Sequence, residues 1–177
     1  MNLKSKKIFF IALVIIFYFS NSYAQGPSIF DIARSGSLSD LKQIIKKDKN
    51  IINSISQEGY SALTLACYYN NNDIATYLIK NVEDINSKSS YGTPLMAASV
   101  KKNSYLVKLL LENNADPNLT DNNNSTALHF SVIFGQEKII ELLIKYKANP
   151  NILDNRGNTA LDYAKIINND KIIELLK

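Results

Sequence analysis

Apolar and polar positions recur along most of the chain with a period of about 33 residues, and each copy of the pattern predicts a pair of helices. Every copy starts with a Ser or Thr followed by a short apolar run, and this hexapeptide occurs at residues 28–33, 61–66, 93–98, 126–131 and 159–164. The third residues of the hexapeptides, Phe30, Leu63, Leu95, Leu128 and Leu161, are 33, 32, 33 and 33 positions apart. Chance does not preserve such a phase, so the sequence predicts a tandem repeat.

A second apolar set follows each hexapeptide and predicts the second helix of the pair. Its first members come eleven positions after the third residues and are Leu41, Ile74, Leu106, Ile139 and Ile172. Further apolar residues follow three and four positions later, which is the spacing of one helical face. An Asn recurs another twelve positions along, as Asn53, Asn86, Asn118 and Asn151. The polar, partly Pro-containing stretches around it predict the end of the second helix and a turn.

These residues follow the pattern Thr-Pro-Leu-His-x-Ala, a helix pair and a Gly-Ala-Asp-x-Asn connection, so the chain resembles the ankyrin-repeat family from about residue 28 to 177. The resemblance implies an all-α solenoid of stacked helix-turn-helix pairs with short β-hairpin-like loops. About five repeats are expected, at residues 28–56, 57–89, 90–122, 123–155 and 156–177. The leading Ser or Thr should cap the first helix, and the Leu and Ala behind it should pack on the neighbouring repeat.

Two local features of the repeats carry further expectations. The family has Gly between the paired helices, and Asn70, Gly135 and Asn168 occupy that position here, all of which tolerate a left-handed backbone. Lys102 fills it in the third repeat. The connection at residues 87–92 is one residue shorter than its relatives, which predicts a distorted hairpin tip.

The N-terminus has the three parts of a secretory signal. Basic residues Lys4, Lys6 and Lys7 precede an apolar run over residues 8–19, and small polar residues then lead to Ala24. We expect cleavage after Ala24, so that residues 1–24 are a cleavable signal peptide and residues 25–177 the repeat domain. A bilayer-spanning helix needs about 20 apolar residues, and the run over residues 8–19 is well short of that length. We therefore expect the run to be cleaved off as part of the signal, with no stable membrane insertion of the remaining chain. The alternative is an uncleaved N-terminal anchor.

Composition and charge limit the kinds of partner that the protein is expected to bind. The chain is 46% hydrophobic and 20% charged, which is typical of a globular protein. Removal of the signal takes three of the 20 basic residues and none of the 16 acidic ones, so the formal net charge falls from +4 to +1. The remaining cations are scattered, and we expect no nucleic-acid binding, which needs clustered Lys and Arg. The abundance of Asn, Lys and Ile is typical of a bacterial source with an AT-rich genome.

Few residues are candidates for chemistry. His129 and Cys67 are the only histidine and the only cysteine, and they lie two repeats apart, close to 20 Å if packed helices are about 8–10 Å apart. That distance excludes a Cys-His dyad, and no spacing suggests a zinc or calcium site. We expect no catalytic residue, cofactor or metal. The resemblance implies that His129 ties its turn to the neighbouring repeat, and Cys67 is expected to be buried and unreactive.

The resemblance also implies that a partner binds at the hairpin tips and along the exposed face of the first helices. The fifth and sixth positions after the third-residue leucines are often polar in the family, but here they are mostly large and apolar or aromatic: Tyr68-Tyr69, Val100-Lys101, Ile133-Phe134 and Ile166-Ile167. The alternative is that half of each pair packs between repeats, and for Ile133, Ile166 and Ile167 the two readings are balanced. Aromatic residues are favoured for binding because they are enriched at interface hot spots. The predicted partner-binding residues are Tyr60, Tyr68, Tyr69, Tyr91, Lys101, Ile133, Phe134 and Arg156.

Taken together, the sequence predicts an exported, monomeric protein-protein interaction module, periplasmic or secreted, and not an enzyme. It is expected to bind another protein through its concave face and to inhibit or stabilise it. Two alternatives remain: a secreted effector or toxin-like enzyme with a site in the groove, and an envelope scaffold tethered to the membrane by an uncleaved N-terminus.

Overall fold

Five helix pairs follow one another along the chain in a computed structural model that describes residues 26–89 and 92–177. The expected signal peptide, residues 1–24, lies outside the described residues. The pairs are α1 (Ile29–Ser35) with α2 (Leu38–Lys47), α3 (Ala62–Tyr68) with α4 (Asn72–Ile79), α5 (Pro94–Val100) with α6 (Ser104–Glu112), α7 (Ala127–Ile133) with α8 (Glu137–Lys145), and α9 (Ala160–Ile166) with α10 (Asp170–Leu175). A short 3-10 helix, Lys49–Asn53, follows α2. The described residues contain no β-strand, which confirms the all-α prediction.

Each first helix begins directly after the Ser or Thr that opens its hexapeptide. The hydroxyl oxygen of that residue accepts a hydrogen bond from the backbone N–H three positions on, as in Ser28 with Asp31 at 3.2 Å and Ser61 with Thr64 at 3.1 Å. An N–H group at a helix start has no partner within the helix, so the cap supplies one. The same bond is made by Thr93, Thr126 and Thr159. The predicted caps are therefore present in all five repeats.

The turn between paired helices uses the left-handed backbone that the sequence predicts. The φ angles of Asn70, Lys102, Gly135 and Asn168 lie between +54° and +64°. The first turn differs, because Gly36 has an extended backbone with a φ of −80°. A Cβ atom at Gly36 would lie 2.7 Å from the Cα of Ile32, so this turn needs glycine for space.

The helices form two layers, with first helices packed on first helices and second helices on second helices. Leu63, Leu95 and Leu128 are fully buried in the continuous core between the repeats. Phe30 and Leu161, at the same position in the outermost pairs, are only half-buried. A repeat at the end of a stack has a neighbour on one side alone, which accounts for the difference.

The recurring Asn joins one repeat to the next. The side-chain oxygen of Asn53 accepts from the backbone N–H of Glu83 at 3.0 Å, and that of Asn86 accepts from Asp116 at 2.9 Å. Asn118 continues the series by accepting from the N–H of the following repeat's Asn149 at 2.7 Å. The sequence pattern predicted a turn at these residues but not the hydrogen bonds that they make to the next repeat.

The hairpin tips are closed by paired backbone hydrogen bonds. In three tips the closing residues are four positions apart, at 56–60, 121–125 and 154–158. At the third repeat they are Ser89 and Gly92, three positions apart, in agreement with the shorter connection.

Candidate functional site

His129 is buried and bonded at both ring nitrogens. Its Nδ1 lies 3.1 Å from the backbone nitrogen of Thr126, and its Nε2 lies 3.3 Å from the carbonyl oxygen of Asn158 in the next repeat. The Thr126 N–H can only donate, so Nδ1 accepts and Nε2 carries the proton that the carbonyl receives. The imidazole thus ties two successive repeats together, as the resemblance implies.

Cys67 is fully buried in α3, and the helix α5 lies between α3 and the helix α7 that carries His129. Burial raises the pKa of the Cys67 thiol far above its usual range, so the nucleophilic thiolate is not formed at neutral pH. The described part of the chain contains no cluster of three His, Cys, Asp or Glu residues suited to a metal ion. No helix within it combines the length and hydrophobicity needed to cross a bilayer.

Exposed large side chains stand where the first helices end. Tyr68 and Tyr69, at the end of α3, are 45% and 52% exposed, and Ile133 and Phe134, at the end of α7, are 41% and 44% exposed. The alternative that one residue of each pair packs between repeats therefore does not hold for these residues. Equivalent positions in the last repeat, Ile166 and Ile167, are also exposed. We call these residues, together with Lys101 at the end of α5, the concave row.

A cavity of about 320 Å³ opens at one end of the concave row. The rings of Tyr68 and Tyr69 meet edge to face there, with centroids 5.4 Å apart, and the ammonium group of Lys101 lies 4.8 Å from the centroid of Tyr68. Such a contact is a cation–π interaction, which restrains the lysine side chain. The residues that line the cavity are Arg34, Tyr60, Thr64, Leu65, Tyr68, Tyr69, Met96, Ala97 and Val100. The structure thus brings Tyr60, Tyr68, Tyr69 and Lys101 together.

The family model described as ankyrin repeats (three copies) matches residues 29–121 and, in a second match, residues 99–177. The chain belongs to the ankyrin-repeat family. Ankyrin repeats bind other proteins and are typically not enzymes, so the concave row and its cavity are the places to look for a partner site. No curated protein matches the chain in a sequence comparison.

The remaining predicted residues do not join this ankyrin-repeat cavity. Phe134 lines a separate hollow of about 280 Å³ with Lys102 and Gln136. Ile133 is exposed but lines neither hollow, and Arg156 is exposed at the tip of the fifth repeat. Tyr91 lies outside the described residues.

Sequence reasoning missed Arg34 as a lining residue of the cavity. Its position in the first helix is held by Cys67, Ser99 and Val132 in the next three repeats, all of which are buried. Arg34 is partly exposed and lines the cavity together with Tyr60, Tyr68 and Tyr69 of the next repeat.

Gln136 is a second feature that the sequence did not reveal. It precedes α8, where the other three turns after the first have Asn71, Asn103 and Asn169. The amide of Asn103 accepts from the N–H of Leu106 at 3.0 Å and donates to Asn70 of the preceding repeat at 2.9 Å. Both amide atoms of Gln136 are buried and have no partner among the described residues.

Replacing Gln136 with Asn should therefore stabilise this ankyrin domain. The shorter amide can cap α8 as Asn103 caps α6, and we expect a gain of about 1 kcal/mol in the free energy of unfolding. Urea denaturation followed by circular dichroism measures it. Gln136→Ala removes the unpaired amide without supplying a cap and should be close to neutral. A loss of stability in Gln136→Asn would show that the glutamine amide is already bonded, for example to a buried water.

Proposed function

We propose that this ankyrin-repeat protein is an exported interaction module whose concave row binds another protein and inhibits or stabilises it. The supporting observation is that three first helices, α3, α7 and α9, end in exposed pairs of large apolar or aromatic side chains. Large exposed apolar patches are uncommon on monomeric proteins without a binding role, and Tyr is enriched among residues that dominate binding energy. The export half of the proposal rests on the secretory pattern of residues 1–24.

The double substitution Tyr69→Ala with Phe134→Ala tests the binding half. We expect capture of the partner from the envelope fraction of the native cell to fall about tenfold or more, because truncated aromatic anchors commonly cost well over 1 kcal/mol each. Helical content should not change, since both side chains are exposed. Tyr105→Ala is the matched control: Tyr105 is a 53% exposed tyrosine on α6, in the layer of second helices.

Unchanged capture by the double variant would remove the concave row from consideration. Mass spectrometry of the protein recovered in the same experiment tests the export half. A mature N-terminus at Gln25 is expected, whereas an intact Met1 would favour the tethered scaffold.

A further inference from the structure

The cavity on the concave row exists because one repeat has a small residue where its neighbours have large ones. Ala97 of α5 occupies the fifth position of the hexapeptide, which is held by Leu65 in α3 and by Phe130 in α7. Leu65, Met96 and Ala97 are buried and form an apolar floor, and Tyr60, Tyr68 and Tyr69 form the walls. The volume of about 320 Å³ is at the lower end of the range for ligand pockets, roughly 300–1,000 Å³. It suits one large side chain.

The charges at the rim of the cavity favour an anion beside that side chain. Lys101 forms no ion pair with any described residue, and its ammonium group is held over the ring of Tyr68. Arg34 also lines the cavity and pairs with Asp31 at 3.3 Å, but that carboxylate is engaged in the cap of Ser28 as well. The site therefore offers one lysine whose charge is not balanced by a direct partner.

A ligand cation is the obvious competing occupant, because three tyrosines around a hollow resemble a site for an alkylated ammonium group. Lys101 argues against it. Its own charge already lies against the Tyr68 ring, and a second cation in the same hollow would be repelled by it. The hydroxyl groups of Tyr68 and Tyr69 form no hydrogen bond within the described residues, so they can donate to a carboxylate.

We infer that this cavity accepts one bulky apolar side chain, such as Phe, Leu or Met, from an extended segment of the partner protein that has an Asp or Glu next to it. The apolar group covers Leu65, Met96 and Ala97, and the carboxylate pairs with Lys101 at the rim. The inference rests on the proposed function, since it names the kind of partner segment that the concave row would bind.

Three short peptides probe the inference directly. They share blocked ends and Gly-Ser flanks, and their centres are Glu-Phe-Glu, Lys-Phe-Lys and Glu-Ser-Glu. Titration of the isotopically labelled protein, followed by amide NMR shifts, gives the affinity and the place of binding. We expect Glu-Phe-Glu to shift the amides of Tyr68, Ala97 and Lys101, and to bind about tenfold more tightly than the other two. Equal binding of all three peptides, or no binding by any, would overturn the inference.

Two substitutions complete the test. Ala97→Phe fills the cavity and should reduce the affinity for Glu-Phe-Glu about tenfold or more. Lys101→Glu changes an exposed side chain, so it preserves the test if Ala97→Phe does not fold, and it should reverse the preference between the acidic and basic peptides. Tyr105→Ala should bind as the unaltered protein does.

Partner capture separates this inference from the broader proposal. If Ala97→Phe folds but captures the partner normally while Tyr69→Ala with Phe134→Ala does not, the cavity is not the contact site, and the interaction function still stands. If neither variant loses capture, both ideas fail.

Discussion

Leu128→Ala should lower the free energy of unfolding by about 3 kcal/mol, within the range of roughly 2–5 kcal/mol for large-to-small changes in a core. Leu128 is fully buried on α7, which packs between α5 and α9. Its truncation removes apolar contact on both sides and leaves a cavity that rigid helices fill only in part. A folded domain of this size is stable by only about 5–15 kcal/mol, so the loss is a large share of the total. Urea denaturation monitored by circular dichroism measures it.

The matched control is the same substitution at the same repeat position in the outermost pair. Leu161 is half-buried, because α9 packs on a first helix on one side only. We expect Leu161→Ala to cost about half as much as Leu128→Ala. Equal losses at the two positions would contradict the view that burial between repeats holds the stack together.

Asp154→Ala is expected to cost about 2–3 kcal/mol, although Asp154 lies in a hairpin tip and not in the core. Its buried carboxylate accepts hydrogen bonds from the backbone N–H groups of Arg156 at 2.9 Å and Asn158 at 3.0 Å, and from the hydroxyl of Tyr163 at 2.5 Å. Alanine leaves the two N–H groups and the hydroxyl without this acceptor. Asp121 accepts the two equivalent backbone bonds in the preceding tip, at 2.8 and 2.9 Å, but Phe130 stands at the position of Tyr163 and has no hydroxyl to donate. Asp121→Ala should therefore cost less.

The same carboxylate should make stability depend on acid. Burial raises the pKa of Asp154, but the hydrogen bonds from Tyr163, Asn158 and Arg156 lower it, and the folded-state pKa lies below the ordinary value. A group with a lowered folded-state pKa stabilises the protein fully above its unfolded-state pKa, about 3.9 for Asp, and the contribution disappears as pH falls through the folded-state value. Between pH of about 5 and 2, Asp154→Ala should lose less stability than the unaltered protein.

Other carboxylates also make the free energy of unfolding depend on pH, and they do so equally in the unaltered protein and in Asp154→Ala. The pKa values of Asp31, Asp40 and Asp162 are lowered, in each case chiefly by the hydroxyl of the Ser or Thr that caps the helix. They are present in both proteins, so the difference between the two pH profiles reports Asp154. Parallel profiles would show that this carboxylate has the same pKa in the folded and unfolded chains.

Much of the fold could be predicted from the sequence, because its signals are local. A Ser or Thr three positions before the N–H that it caps, an Asn at a left-handed turn, and an apolar face with helical spacing are each contained within one repeat. The shorter connection at residues 87–92 could be predicted for the same reason, because it reduces the spacing between Leu63 and Leu95 to 32 positions.

The features that escaped prediction depend on contacts between repeats. The hydrogen bond that the Glu83 N–H donates to the side-chain oxygen of Asn53 spans 30 positions, and nothing near Asn53 in the sequence indicates it. The unpaired amide of Gln136 becomes evident only beside the equivalent Asn103 and its bonds. The cavity is lined by Arg34 from the first repeat, tyrosines from the second and Ala97 from the third. Comparison of one position across the repeats shows that Ala97 is unusually small, but it does not show which side chains surround the space that Ala97 leaves.

The shortened tip at Ser89 and Gly92 has a consequence for how a long ligand would align with the protein. A scaffold made of identical units offers the same surface again after each unit, so an elongated ligand could slide by one repeat and bind in several registers of similar energy. One tip that is a residue shorter, next to the only hexapeptide whose fifth residue is as small as alanine, makes these registers unequal. Small irregularities of this kind allow a repetitive protein to bind an elongated ligand in one register.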